Sequence, residues 1–261
     1  MRKSQIILIA LAIVLTIGLF QLPKVVVENE KLADPKADSQ EHDMSMPDKL
    51  KNKIAQWRQN WQSSANREKT FNFADSLAMA YLNYQMIDSA IWFIDQMEQA
   101  KDGGEDAMRV VELSYLAFQR ASGREKAKEL GEVTAARIEP LLEANPESSN
   151  LKNMLAMTMV VTDNPMQGVQ MLRELLEENP DDRQALKNLG VLSIQSGQYQ
   201  KAEERFETLL AKDSTDMEAL FYLGVALSEQ GKERGRKILE ELAANDQNPA
   251  IQALAQGYLE N

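Results

Sequence analysis

From Pro146 onward the chain repeats with a period of 34 residues: Pro146 is followed by Pro180, Ala156 by Gly190 and Gly224, and Leu155 by Leu189 and Leu223. A period of this length marks two-helix units that must stack, because each unit is amphipathic and cannot bury its apolar face alone. The same constraint reaches function. A row of stacked hairpins offers long surfaces, so the sequence points to binding rather than chemistry.

The clearest unit is 183–216, with Leu186, Leu189, Gly190, Gly197, Tyr199, Ala202, Phe206 and Leu209. These residues, at these offsets, resemble the tetratricopeptide repeat consensus. Small residues at Gly190 and Ala202 let the two helices of a hairpin approach closely, while Leu189, Phe206 and Leu209 fill the space between hairpins. Unit 217–248 keeps Leu220, Leu223, Gly224 and Gly231, and a one-residue deletion brings Gly235, Leu239 and Leu242 into register. Unit 149–182 places Leu155, Ala156, Gly168, Leu172 and Leu175 in the same frame, and Pro165 opens its second helix, where a missing N–H costs nothing. Upstream, 71–104 matches through Leu77, Ala78, Tyr81, Ala90, Ile94 and Met97.

Between these units the period fails. Ala78 to Ala156 is 78 residues, two periods plus ten. Segment 105–148 therefore reads as an enlarged, irregular hairpin turning near Ser122 and Gly123, with Pro140 expected to kink or break a long second helix. Segment 48–70 supplies a first helix with Leu50, Ile54, Trp57 and Trp61 on one stripe, and 249–261 a last one with Ile251, Leu254 and Tyr258. Both are expected to cap the stack. The fold expected for 48–261 is thus an all-α solenoid of helical hairpins.

The N-terminus carries a second signal. After Arg2 and Lys3, residues 6–22 contain only Thr16 and Gln21 as polar side chains, near the lower limit for a spanning helix. The sequence after the run, Phe20-Gln21-Leu22-Pro23, lacks the small residues of a cleavage site. We read 1–22 as a cytoplasmic N-terminus with a single-pass signal-anchor, and the positive residues before it place the body on the far side of the membrane. Residues 23–47, rich in Pro and charge, read as a flexible linker. His42, the sole histidine, lies there near Met44 and Met46. One imidazole and two thioethers in such a segment make no preorganised metal site.

Absent chemistry narrows the function. With no cysteine and no second histidine, the chain has neither a thiolate metal site, nor a cysteine nucleophile, nor a histidine relay. Phosphate loops, dinucleotide fingerprints and nucleophile elbows are missing too. Paired acids such as Glu177-Glu178, Asp181-Asp182 and Glu240-Glu241 fall at helix ends or turns, where solvation explains them. The expectation is no enzyme, no cofactor and no metal. A formal net charge of −11 argues against nucleic acid, whose phosphates need a cationic face. Two basic clusters remain, Lys49, Lys51, Lys53 and Arg58 in the first helix, and Lys232, Arg234, Arg236 and Lys237 near the C-terminus. Each reads foremost as a solvated face.

The tetratricopeptide resemblance implies a protein or peptide partner held in a concave groove lined by the first helices of successive hairpins. Carried onto this sequence, the groove positions are Asp75, Met79 and Leu82; Asn153, Met157 and Val160; Lys187, Val191 and Ile194; and Phe221, Val225 and Ser228. The row is apolar, with Asn153 and Lys187 as its hydrogen-bonding heads. It is suited to a peptide, or it is filled by the chain itself or a second copy, so a homo-oligomer stays open. Lys187 and Asn188 fit part of the clamp that binds chaperone C-termini, but Val191 stands where that clamp has Asn. The layout as a whole is similar to N-terminally anchored bacterial envelope proteins of this repeat family, including factors of cytochrome c biogenesis that handle unfolded client peptides. It implies a membrane-tethered adaptor or scaffold of the bacterial inner membrane, or a client-binding assembly factor. An envelope hydrolase is the reading the missing relay disfavours.

Overall fold

The computed structural model describes residues 46–244 and 247–260, and these form twelve α-helices and no strand. The apolar run 6–22, the linker up to residue 45, His42 and Met44 lie outside the described residues. Met46 lies inside them, buried in the apolar core with Ile54 and Phe71. No described helix is long and apolar enough to cross a membrane.

A helix α1, Asp48–Ser63, precedes five hairpins. These pair α2 (Arg67–Asn83) with α3 (Ile87–Ala100), and α4 (Gly104–Gln119) with α5 (Arg124–Ala144). They continue with α6 (Ser149–Val161) and α7 (Pro165–Glu178), α8 (Arg183–Gln195) and α9 (Tyr199–Lys212), and α10 (Met217–Glu229) and α11 (Glu233–Ala244). A last helix, α12, spans Pro249–Leu259. Each helix packs on the next in chain order, so the core is a row of apolar clusters rather than one centre.

Local chemistry sets the ends of these helices. Four of the five first helices, and α12, start on side-chain caps: Asn66, Ser148, Asp182, Asp216 and Asn248 accept hydrogen bonds from Lys69, Leu151, Ala185, Ala219 and Ile251 amides. Such caps are worth about 1 kcal/mol each. Three hairpin turns close alike: the amides of Met86, Gln198 and Lys232 reach back to the carbonyls of Tyr81, Ser193 and Leu227 at 3.0, 2.7 and 2.9 Å. The residue before each is left-handed. Gly197 and Gly231, both at φ 72°, suit that conformation, whereas Gln85, at φ 59°, bears it with a side chain.

Small residues then permit close crossing. A Cβ on Gly190 would stand 2.6 Å from the Phe206 ring, and one on Gly224 2.9 Å from Leu239. Ala78, Ala90, Ala156 and Ala202 have no exposed surface, as their place in the repeat demands.

The ten-residue excess in the period resides mostly in α5, which has 21 residues where α3, α7 and α9 have 14. It is not broken at Pro140. Pro140 and Ala136, whose carbonyl loses its helical donor, are both exposed, so water can replace that donor, and buried Ile138 anchors the last turns. Arg137 of α5 reaches across to pair with Asp95 of α3 and donates to Ser114 Oγ of α4 at 2.7 Å.

Candidate functional site

The first helices of neighbouring hairpins meet at α2/α4, α6/α8 and α8/α10, and α10 meets α12, whereas the backbones of α4 and α6 approach each other less closely. They share an apolar cluster through longer side chains, with Val111 and Tyr115 on one helix and Leu151, Met154 and Leu155 on the other. Above that cluster lies a cleft of about 380 Å³. Its walls come from four successive first helices: Met79 of α2, Arg109 to Gln119 of α4, Asn150 and Met154 of α6, and Gln184 and Lys187 of α8.

Charge is organised around this cleft by bonds within the stack. Arg109 bridges α4 to α2 through Asp75, with Nε and Nη2 at 3.0 and 2.9 Å from Oδ1, and reaches Glu112 at 3.3 Å. Lys187 bridges α8 to α10 through Glu218 at 3.1 Å. Burial pushes the Tyr115 phenol up to about 12, although a hydrogen bond with Gln119 acts the other way. A protonated phenol, two cations and the amides of Gln119, Asn150 and Gln184 therefore surround an apolar floor of Met79, Leu116 and Met154. That combination suits a peptide, whose backbone takes hydrogen bonds from amides while one side chain enters the apolar part.

The groove row expected from the repeat frame is divided by the structure. Asp75, Met79, Met157, Val160, Lys187, Val191, Ile194 and Ser228 are half-buried, whereas Leu82, Asn153, Phe221 and Val225 are buried. Of the row, Met79 and Lys187 line the cleft. Asn153 serves the stack instead: its amide donates to Asp182 Oδ1, and Asn188 Nδ2 donates to Asn153 Oδ1, each at 3.3 Å. Phe221 and Val225 are covered by Ile251 and Ala255 of α12. Ser228 lines a separate cavity of about 320 Å³ with Lys232, Arg236 and Tyr258.

Sequence reasoning missed Arg109, Tyr115, Asn150 and Gln184. Asn150 and Gln184 each lie one turn before Asn153 and Lys187, at the second residue of their helices. The available signal was the break in the period, which marks where α4 and α6 approach less closely.

The basic clusters resolve differently. Lys232 and Arg234 cross to Glu203 and Glu207 of α9 at 2.6 and 2.8 Å, while Arg236 and Lys237 pair along α11 with Glu240 and Glu233, both at 2.9 Å. This cluster is neutralised within the repeat. In α1, Arg58 turns inward over the rings of Tyr81 and Phe93, and Lys53 lies over Trp57, leaving Lys49 exposed at the start. The paired acids are structural as well: Asp182 caps α8, and Asp181 and Glu178 meet Lys212 and Lys152 at 2.8 and 3.4 Å.

Residues 193–257, from the end of α8 into α12, match the family model described as Tetratricopeptide repeat. Among solved structures, the chain is similar to that of MamA protein, at 15% identity over 66% of this chain and 90% of that one, with a TM-score of 0.39. It is likewise similar to MamA AMB-1, at 18% identity over 64% and 94%, with a TM-score of 0.36. No curated protein matches the sequence. Ala202 and Phe206 of the hairpin motif lie inside the segment that matches this repeat model.

Proposed function

We propose that this chain is a membrane-tethered adaptor that holds a peptide segment of a protein partner in the cleft between α4 and α6. The observation that carries the reading is the convergence of four successive first helices on one cavity that mixes amides, paired cations and an apolar floor. Peptide capture needs that mixture, because backbone groups must be hydrogen-bonded while one or two side chains supply burial. In this reading 1–22 is the anchor, 23–47 the linker, and the body from residue 48 stands on the far side of a bacterial inner membrane. The apolar run 6–22 and the basic residues before it support that placement. The role is scaffolding rather than catalysis.

The test uses the full chain in bilayers, with a photo-crosslinking residue at Asn150 and, as control, at Gln56 of α1. Adducts to one partner segment at Asn150 alone support the reading. The double substitution Lys187→Glu, Gln184→Ala should weaken capture of that segment about tenfold, equal to about 1.4 kcal/mol, with helicity unchanged. Equal labelling at both positions, or unchanged capture by the double variant, overturns it.

A further inference from the structure

The set of contacts that holds α5 returns two hairpins later with one charge reversed. Arg137 of α5 precedes the buried Ile138, donates to Ser114, the eleventh residue of α4, and pairs with Asp95, the ninth residue of α3. Arg205 of α9 precedes the buried Phe206 in the same way and donates to Ser193 Oγ, from the eleventh residue of α8. The ninth residue of α7 is Arg173. A guanidinium therefore stands where the first set has its carboxylate. Arg205 spends Nη1 on Ser193 Oγ and on the carbonyls of Leu189 and Lys201, all uncharged. Among the described residues its Nε and Nη2, which form one edge of the fork, have no hydrogen bond, and neither arginine is in an ion pair. Glu174 and Glu177 flank Arg173 and Glu204 precedes Arg205, but all three are exposed, and Glu174 accepts from the Gln170 amide at 3.1 Å instead. Burial, and then the charge of Arg173, hold the Arg205 guanidinium below its usual value, so the two cations are near enough to repel each other.

We propose that Arg173 and Arg205 form a binding site for a phosphoryl dianion, which takes the place that Asp95 fills beside Arg137. The oxygens decide between ligands. A carboxylate offers two, enough for a single guanidinium fork, whereas a phosphoryl group has oxygens for both forks and a charge close to the sum that balances them. Arg205 is half-buried and held by Ser193, so its open edge is positioned before a ligand arrives, and the exposed Arg173 closes on the ligand from the solvent side. The neighbouring glutamates lie in water, where their repulsion is screened, while direct hydrogen bonds to a guanidinium are not. This site belongs to second helices and the cleft to first helices, so it stands independently of peptide capture.

The test restores the missing carboxylate. Arg173→Asp, at an exposed position, copies Asp95 and should pair with Arg205 within the chain, which removes the site without leaving Arg205 alone. For the full chain in phosphatidylcholine bilayers, inorganic phosphate at an ionic strength held constant with chloride should raise the thermal midpoint saturably. Arg173→Gln should need about tenfold more phosphate for half the shift, the loss expected for one charge-assisted contact, and Arg173→Asp should show no saturable shift. Phosphatidic acid added to the bilayer separates the sources of the phosphoryl group: a lipid headgroup at the site abolishes the response to phosphate, and a retained response assigns the free ion. Equal shifts in the unsubstituted chain and Arg173→Asp, or no saturable shift in the unsubstituted chain, overturn the proposal.

Discussion

The α8–α9 hairpin and the α4–α5 hairpin solve the same packing problem in different ways. In the first, Gly190 admits the Phe206 ring to a distance at which no Cβ could stand, and the two short helices nest through that contact. In the second, a helix of 21 residues is held from the side by Arg137, which pairs with Asp95 and Ser114 on two other helices. Nesting lets the next first helix close over the hairpin. Beside the second hairpin α4 meets α6 through longer side chains, and the cleft lies above that shared apolar cluster. A regular repeat thus builds the scaffold, and its one irregular member supplies the shaped cavity.

The largest expected effect breaks the regular side of this comparison. Phe206→Ala empties the space over Gly190 and should cost about 3–5 kcal/mol, read as a lowered denaturant midpoint, because Phe206 has no exposed surface. On the irregular side, Arg137→Met keeps much of the stem but leaves Asp95 and Ser114 without their partner. Since Arg137 is largely buried, we expect a loss of about 1.5–3 kcal/mol, measured in the same way.

A smaller effect sharpens the picture of the cleft. Tyr115 ionises near 12 in the folded protein and near 10 in an unfolded chain. The folded state therefore keeps a proton that the unfolded state releases. The stability this provides is complete below pH about 10 and is lost as pH rises toward 12. Tyr115→Phe should make the alkaline fall in stability less steep, as followed by denaturation between those limits. The smallest effect concerns a turn: Gln85→Gly relieves the one left-handed non-glycine residue among those described. The relief of about 1–2 kcal/mol for the folded backbone is partly offset by glycine's greater freedom when unfolded. The net gain should be a fraction of a kcal/mol in thermal unfolding.

Much of the scaffold was legible because its determinants are local. Gly190, Ala202 and Phe206 recur at fixed offsets, and each offset states which side of a helix meets its hairpin partner. The cap residues Asp182 and Asp216 are equally local, since each bonds an amide three residues on. The site was legible only in part. Met79 and Lys187 were found from the repeat frame, whereas Arg109, Tyr115, Asn150 and Gln184 were not, because the frame describes regular units and the cleft exists where regularity fails. That Pro140 does not break α5 was hidden for a related reason. Its effect depends on whether water reaches the Ala136 carbonyl, and that is a matter of exposure rather than of residue type.

By itself, then, the sequence determined that this chain is built from stacked two-helix units, and where the period slips. Helix periodicity and the need for small residues at crossings are written in neighbouring residues. Only the tertiary structure decided which members of the groove row stay reachable. Asn153 went to a buried amide network and Phe221 to the contact with α12, while Asn150 and Gln184 faced the cleft. The looser approach of α4 to α6 and the neutralisation of Lys232 and Arg234 by Glu203 and Glu207 depend on how neighbouring hairpins pack. That packing arises from contacts between residues of different hairpins, and no single repeat encodes it.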